Sequence, residues 1–327
     1  MRRLLLTAAA TTAAALTLAA CGTTEPAADK SEKKASEAIT LKDGKGVEVK
    51  LDGPATKVVA TEWNVVESLL ALGVQPAGVA DVKGFKTWNK AFPLTGDPKD
   101  IGTRGEPSMD TVASLAPDLI VATTDLPPAA VKQMREVAPV LEVKSADGTD
   151  QIGQMLDNVD LIAKATGTTD KAETVREQFE AKVAEGKKAL ADAGMAGKDI
   201  AFADGYVTSN QVSIRPYTAT SLLGEVNEAI GLKNAWKVKG DEAYGLGATD
   251  VEGLTALPKD VQFAYIANDE DKNSTPFTGA LTKNSVWKSL PFVEAGNVHR
   301  LDDGIWMFGG PGSMEAYIDS VVGALTK

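Results

Sequence analysis

The sequence has little of what metal centres and thiol chemistry need, with one Cys and one His among 327 residues. Zinc sites need several such ligands, and Cys–His dyads need a thiol beside a base, so both kinds of site are excluded. A single Cys also excludes a disulfide-stapled fold. Basic residues are outnumbered, 34 Lys and Arg against 45 Asp and Glu. Nucleic acid is therefore not an expected partner, because phosphate binding needs clustered cations.

The rest of the composition is that of a globular protein, with 43% hydrophobic and 24% charged residues. The length exceeds one typical core of about 100–200 residues, so we expect two packed units. Short apolar runs alternate with helical periods from residue 57 onward, as in residues 57–61, 65–72 and 77–80. Such alternation predicts an α/β fold in which sheets are flanked by helices.

Residues 1–20 have the build of a secretory signal peptide, because Arg2 and Arg3 precede an Ala- and Leu-rich stretch without an acidic residue. The residues Leu-Ala-Ala then lead into Cys21, and this arrangement resembles the bacterial lipobox. The resemblance implies that Cys21 is diacylated and becomes the mature N-terminus. Two acyl chains suffice for stable anchoring. We therefore predict an extracytoplasmic protein that is lipid-anchored to the cell membrane through Cys21.

The composition after Cys21 predicts first a tether and then a hairpin. Residues 23–38 are rich in Ala, Glu, Lys and Ser and have no large apolar residue, which predicts a flexible tether. Residues 39–51 alternate apolar and polar side chains around Asp43 and Gly44, which predicts a β-hairpin. Further on, residues 152–163 place apolar side chains at helical spacing, so a helix is expected in the middle of the chain.

Four stretches resemble the class III solute-binding proteins of ABC importers, and among them the ferric hydroxamate siderophore binders. The similarity extends over residues 58–325, and the order and spacing of the stretches make it specific. The stretches are residues 60–73 (ATEWNVVESLLALG) with 78–81 (GVAD), 101–107 (IGTRGEP) with 115–120 (LAPDLI), 221–226 (SLLGEV) with 231–236 (GLKNAW), and 286–296 (VWKSLPFVEAG) with 306–309 (WMFG).

This resemblance implies two α/β lobes with central β-sheets flanked by helices, joined by a long bridging α-helix, with the ligand in the cleft between them. It also implies a monomeric binding protein without a cofactor, which delivers an Fe(III)-siderophore complex to an ABC transporter permease and is not an enzyme. The predicted segments are the signal peptide 1–20, the lipidated Cys, tether and hairpin 21–50, the N-terminal lobe 51–149, the bridging helix 150–167, and the C-terminal lobe 168–327.

The cargo determines which side chains the cleft needs. A ferric hydroxamate brings six oxygens to its iron, so the protein supplies aromatic surface and charge-assisted donors rather than metal ligands. Arg104 matches the position from which hydroxamate binders direct an Arg toward those oxygens. Arg215 and Tyr217 are second-lobe candidates by position. The aromatic residues that match cleft-lining positions are Trp63, Trp88, Tyr244, Trp306 and Phe308.

Three further expectations concern the surroundings of the cleft. The family docks onto Arg residues of the permease through one Glu on each lobe, and Glu106 and Glu225 match those positions. Trp88 lies in a polar stretch that is expected to be a loop. Residues 123–128 contain neither an aromatic residue nor an obvious donor where relatives place a Tyr, so the ligand is expected to differ from that of the nearest relatives.

Several alternatives stay open at this point. The same fold could bind a ferric catecholate, haem or cobalamin. Haem needs an axial Tyr or His, and His299 is available, although it is expected to lie on a late strand. Catecholate complexes are strongly anionic and call for several basic side chains in the cleft. A secreted Ser hydrolase using His299 is less favoured because no Gly-x-Ser-x-Gly elbow is present. Whether a hydroxamate ligand is linear or cyclic is left open.

Overall fold

The structure is a computed structural model that describes residues 37–209, 211–270 and 276–327. Cys21, the signal peptide and nearly all of the tether lie outside the described residues. In the described ranges, no helix combines the length and the apolar character needed to cross a membrane.

Strands and helices alternate along most of the described chain. The strands are β1 (Ile39–Lys42), β2 (Glu48–Leu51), β3 (Val58–Ala60), β4 (Gly78–Val79), β5 (Lys99–Asp100), β6 (Leu119–Thr123), β7 (Val140–Val143), β8 (Asp199–Thr208), β9 (Gln211–Pro216), β10 (Lys233–Asn234), β11 (Gln262–Tyr265) and β12 (Val298–Arg300). The helices are α1 (Trp63–Ala71), α2 (Val82–Trp88), α3 (Met109–Leu115), α4 (Pro128–Arg135), α5 (Gln151–Thr166), α6 (Thr169–Asp192), α7 (Leu222–Ala229), α8 (Ser285–Lys288), α9 (Pro291–Glu294) and α10 (Pro311–Leu325).

The predicted hairpin is confirmed, since β1 and β2 pair antiparallel. The Asp43 carboxylate accepts hydrogen bonds from the N–H groups of Lys45 and Val47, which fixes the turn between the strands. Gly44 donates its N–H to the carbonyl of Glu142 on β7 at 2.6 Å. A Cβ atom at Gly44 would lie 2.9 Å from that carbonyl oxygen, so only glycine allows the turn to approach β7 this closely.

The first sheet has the strand order β5-β4-β3-β6-β7, and all of its pairings are parallel. Every residue of β6 is buried, as expected for a strand with helices on both faces. The alternation of apolar runs and helical periods therefore gave the correct fold class, an α/β architecture with sheets flanked by helices.

The second sheet has the parallel order β10-β8-β11-β12, with β9 paired antiparallel to β8. The first residues of β8 pair within the sheet, while residues 203–208 pair only with β9 among the described strands. The second half of β8 and β9 form a two-stranded arm that leaves the sheet. We call residues 203–208 and 211–216 the β8–β9 arm.

Two helices join the cores that surround the two sheets. On α5, Met155 packs in the core around the second sheet, whereas Ile162 packs in the core around the first. On α6, Val175 belongs to the first core and Phe179 to the second. Both α5 and α6 thus contribute to both lobes. The division of the chain at residues 149/150 and 167/168 stays a prediction, but the connection contains α6 as well as α5.

One stability prediction concerns an aromatic cluster behind the second sheet. Phe263 is fully buried, and its ring centre lies 5.2 Å from that of Phe277 and 5.6 Å from those of Trp287 and Phe292. Phe263→Ala is expected to lower the free energy of unfolding by about 3–5 kcal/mol, because it leaves a cavity among these rings. Chemical denaturation followed by tryptophan fluorescence measures the loss.

The matched control is Val47→Ala, at an exposed position of the hairpin, which should change the free energy of unfolding by less than about 0.5 kcal/mol. A Phe263→Ala variant as stable as this control would contradict the packing of Phe263 among these rings.

Candidate functional site

The cleft lies at the edge where the parallel strands of both sheets end. In parallel sheets the segments after the carboxyl ends of the strands meet at one edge, and ligand sites form there. The cleft residues that follow strands of the first sheet are Glu62 and Trp63 after β3 and Arg104 after β5. Asp125 follows β6 and accepts a hydrogen bond from the cleft residue Tyr244. The second lobe contributes the β8–β9 arm and the segment with Trp306 after β12.

Two adjoining hollows of about 410 and 510 Å³ occupy this cleft. Both hollows are lined by Arg104, Trp306, Tyr206 and Arg215. Each volume is in the range of a small-molecule site, about 300–1,000 Å³. The two predicted arginines therefore face one shared space.

Arg104 is held by a carboxylate and two indole rings. Its Nη1 donates a hydrogen bond to Glu62 at 3.1 Å. Its guanidinium carbon lies 4.1 Å from the ring centre of Trp63 and 5.3 Å from that of Trp306, in cation–π geometry. Burial raises the pKa of Glu62, and the neighbouring Arg104 opposes that shift. Arg104 therefore presents an oriented fork with its charge paired.

Arg215 has an equivalent arrangement on the β8–β9 arm. The arm's register places Arg215 directly opposite Asp204, and Arg215 donates two hydrogen bonds to that carboxylate, with Nε 2.9 Å from Oδ1. The guanidinium carbon lies 5.3 Å from the ring centre of Tyr206 and 5.4 Å from that of Phe308. Burial raises the pKa of Asp204, and the bonds from Arg215 oppose the shift.

Tyr244 connects the two walls of the cleft. Its hydroxyl donates a hydrogen bond to Asp125, and its ring packs edge-on against Phe308 with the centres 5.7 Å apart. Burial and the adjacent Asp125 carboxylate raise the pKa of Tyr244. The segment 123–128 has no aromatic residue of its own, and Tyr244 from the other lobe reaches it.

The structure gives Tyr217 and Trp88 surroundings that the sequence did not indicate. Tyr217 is only 1% exposed and lies in the core below the cleft, where its hydroxyl donates to Asp204 at 3.2 Å. It supports the Asp204–Arg215 pair and lines neither of the two hollows, and its role in ligand binding stays a prediction. Trp88 is the last residue of α2, so the expected loop is wrong. The Asp81 side chain caps the N–H of Gly84 at 2.9 Å and starts that helix.

Trp88 and Trp63 both lie at the cleft. Trp88 is half-buried and lines the larger hollow. Trp63 is 3% exposed and borders the same hollow beneath Arg104. Their roles in ligand binding stay predictions.

Sequence reasoning missed Tyr206, which is 39% exposed and lines both hollows. It also missed Asp204 and Glu62, the two partners of the arginines. The available signal was strand alternation: Asp204 and Tyr206 are two residues apart on β8, so they lie on the same face. Arg215 joins that face through its pairing with Asp204.

The two predicted docking glutamates differ in their surroundings. Glu106 is exposed in the loop before α3. Glu225 on α7 is half-buried, and its carboxylate accepts hydrogen bonds from the N–H groups of Gln151 at 2.6 Å and Ile152 at 3.3 Å. Glu225 therefore caps the first turn of α5. Burial raises the pKa of Glu225, and these two donors oppose the shift.

His299 lies on β12, as expected, and outside both hollows. Its Nε2 atom is 2.8 Å from Oε1 of Gln262, and burial lowers the pKa of the imidazole. This position gives His299 a partner on the neighbouring strand β11 rather than a place at the cleft.

The chain is similar in sequence to known binding proteins. The Fe(3+)-citrate-binding protein YfmC of Bacillus subtilis (strain 168) is 29% identical over 282 residues, which cover 85% of this chain and 82% of the relative. The iron(3+)-hydroxamate-binding protein FhuD of Escherichia coli (strain K12) is 26% identical over 253 residues, with 77% and 81% covered.

The fold is shared with a solved structure. The Fe3+-Desferal-bound siderophore binding protein FhuD from Vibrio cholerae matches with a TM-score of 0.72 at 24% identity, over 83% of this chain and 98% of the other. Residues 58–304 match the family described as periplasmic binding protein, which confirms the family assignment made from the sequence. Because this match covers well over half of the sequence, the chain belongs to the periplasmic binding protein family.

Proposed function

We propose that this protein is the extracytoplasmic substrate-binding lipoprotein of an iron–siderophore ABC importer. In this role it captures ferric hydroxamates of the ferrioxamine or ferrichrome type in the cleft and delivers them to the permease. The observation that carries the proposal is the pairing of both cleft arginines, Arg104 with Glu62 and Arg215 with Asp204.

The charge balance of the cleft supports a ligand that is neutral or cationic. Each arginine has its own carboxylate, and Asp125 adds a further negative charge beside Tyr244. A strongly anionic chelate would meet these carboxylates and would need cations that are not already paired. Ferric hydroxamates are neutral or cationic, so they fit this balance better than catecholate complexes do.

The side chains also supply the donors and surfaces that a hydroxamate complex needs. A guanidinium group carries five N–H donors, more than one carboxylate can accept, so Arg104 can address ligand oxygens while it stays bound to Glu62. Trp306, Phe308 and Tyr206 offer ring faces and edges to the apolar linkers. Because hydroxamate oxygens enclose the iron, the protein needs no metal ligand of its own.

The names of the relatives support iron–siderophore transport and leave several chelates possible. Relatives in Escherichia coli and Bacillus subtilis are named iron(3+)-hydroxamate-binding proteins. Two other relatives in Bacillus subtilis are named an Fe(3+)-citrate-binding protein and a probable siderophore-binding lipoprotein. A triscatecholate-binding protein shares the fold with a TM-score of 0.70. Among these ligand classes, the paired arginines favour the hydroxamates.

The first prediction from the proposed function concerns the ligand class. Titration of tryptophan fluorescence should show quenching by ferrioxamine and ferrichrome and none by a ferric catecholate, since Trp63 and Trp306 border the cleft. Arg104→Gln should weaken hydroxamate binding about ten- to a hundredfold, because a charge-assisted hydrogen bond is worth about 1.5–3 kcal/mol.

Lys83→Gln is the matched control, because Lys83 is an exposed cation on the same lobe outside the two cleft hollows. It should bind hydroxamates as the unaltered protein does. Quenching by haem, cobalamin or a catecholate with none by the hydroxamates would refute the ligand assignment.

The second prediction concerns permease docking. The double variant Glu106→Gln with Glu225→Gln should abolish siderophore uptake by cells and leave ligand binding by the isolated protein intact. Gln at position 225 keeps an acceptor oxygen for the N–H of Gln151, so the cap of α5 is retained. Glu228→Gln, at an exposed position of α7, is the control and should not affect uptake. Normal uptake by the double variant would rule out docking through these residues.

The third prediction concerns the anchor. Cys21→Ser should abolish incorporation of labelled fatty acid and release the protein from the membrane fraction, because the thiol that carries the acyl chains is gone. Metabolic labelling followed by fractionation makes the comparison. A variant that stays membrane-bound and labelled would show that the anchor lies elsewhere.

A further inference from the structure

Glu67 is a fully buried carboxylate in the middle of α1, next to the cleft but outside its two hollows. It accepts hydrogen bonds from the N–H of Ser313 at 2.6 Å, from Ser313 Oγ at 2.7 Å and from Asn89 Nδ2 at 3.0 Å. All three donors are uncharged. Burial raises the pKa of Glu67, and these donors oppose the shift. Burying an ionised carboxylate costs free energy unless hydrogen-bond donors or dipoles offset the lost hydration. The groups around Glu67 must therefore supply that offset.

The compensation comes from the first turn of α10. Gly310 is the N-cap of this helix and has no side chain that could accept from the N–H of Ser313, the third helical residue. Glu67 supplies that acceptor from α1, in the other lobe. Its carboxylate also lies at the positive end of a helix of 15 residues. Glu67 therefore acts as the cap that the sequence of α10 lacks.

The glycines around this contact are required by the close approach of the two lobes. A Cβ atom at Gly309 would lie 2.6 Å from Oε2 of Glu67. A Cβ atom at Gly312 would lie 2.4 Å from a ring carbon of Phe92. Both distances are shorter than the non-bonded contacts that a Cβ atom makes in proteins. The glycine-rich segment before α10 thus forms a surface that fits Glu67 and its neighbours.

Helix α1 and the segment that leads into α10 also contact each other at the cleft. Trp63 lies one helical turn before Glu67 on α1, so the two side chains share a face of the helix. The ring centre of Trp306 is 4.6 Å from that of Trp63. The N–H of Gly309 donates to the carbonyl of Trp306 at 2.9 Å, which links the aromatic segment to the start of α10 by a tight turn. Helix α1 thus holds residues 306–313 at two points.

We propose that Glu67 is a positioning residue of the ligand cleft. By binding the first turn of α10, its carboxylate fixes the placement of Trp306 and Phe308 relative to Trp63 and Arg104. The inference rests on the proposed function only in requiring that the ligand occupies this cleft. Loss of the contact frees the start of α10, so the aromatic wall shifts against Arg104 while the lobes stay folded.

The experiment alters the contact from both sides, with Glu67→Gln on α1 and Gly309→Ala before α10. Gln removes the negative charge, and Ala places a methyl group against Oε2 of Glu67. The first measurement is near-UV circular dichroism of the protein without ligand, which reports on the packing of Trp63 against Trp306. The second is the dissociation constant for ferrioxamine. Both variants are expected to change the near-UV spectrum and to weaken binding roughly tenfold.

Two comparisons make the test specific. Gly323→Ala is the control, because it lies on the same helix and its Cβ atom would meet no heavy atom within 4 Å beyond the adjacent residues and the backbone of its own helix. It should therefore change neither measurement. In the double variant Glu67→Gln with Gly309→Ala, binding should weaken no more than in the weaker-binding single variant, because both changes break one contact. A multiplicative loss in the double variant would contradict a shared mechanism.

Other outcomes separate positioning from mere stability. If Glu67→Gln lowers the melting temperature but leaves the near-UV spectrum and ferrioxamine affinity unchanged, the positioning role is overturned. If Glu67→Gln does not fold, Ser313→Ala removes only the hydroxyl donor and should shift both measurements in the same direction by a smaller factor. Unchanged measurements in Ser313→Ala would then overturn it. A near-UV change in a protein that binds no hydroxamate would contradict the proposed ligand and support the positioning role.

Discussion

Parallel pairing is the constraint on which the rest of this structure depends. Each parallel strand needs a crossover before the next, so the segments that follow the carboxyl ends collect at one edge of the sheet. Trp63 and Arg104 reach the cleft for this reason, although they follow different strands. Trp306 follows the last strand of the second sheet in the same way. The β8–β9 arm is the exception, because it leaves the sheet to form the opposite wall of the cleft.

Ion pairs within each lobe govern the electrostatics of the cleft. Arg104 and Arg215 each lie beside a carboxylate on the same lobe, Glu62 and Asp204 respectively. The pairs orient the guanidinium groups against aromatic rings and compensate their charge before a ligand arrives. The cleft therefore presents aromatic rings and guanidinium N–H donors whose positive charge is already balanced by carboxylates.

The sequence predicted part of this cleft. Arg104 and Trp306 lie in stretches whose resemblance to known binding proteins could be seen directly. Tyr206 and Asp204 lie in no such stretch, and their position depends on the register of β8 against β9. Trp88 was placed in a loop because its neighbours are polar, yet the Asp81 cap begins a helix there. Polarity of neighbours is thus a weaker guide to local structure than a capping side chain.

The sequence by itself determined the signal peptide pattern, the hairpin turn and the alternation of strands and helices, because these depend on residues within a few positions of one another. Only the tertiary structure decided which distant groups meet. Glu67 and Ser313 are 246 residues apart, and Tyr244 and Asp125 are 119 apart. Such pairs carry no local pattern. Their contact depends on how the two lobes pack, which is a property of the whole folded chain.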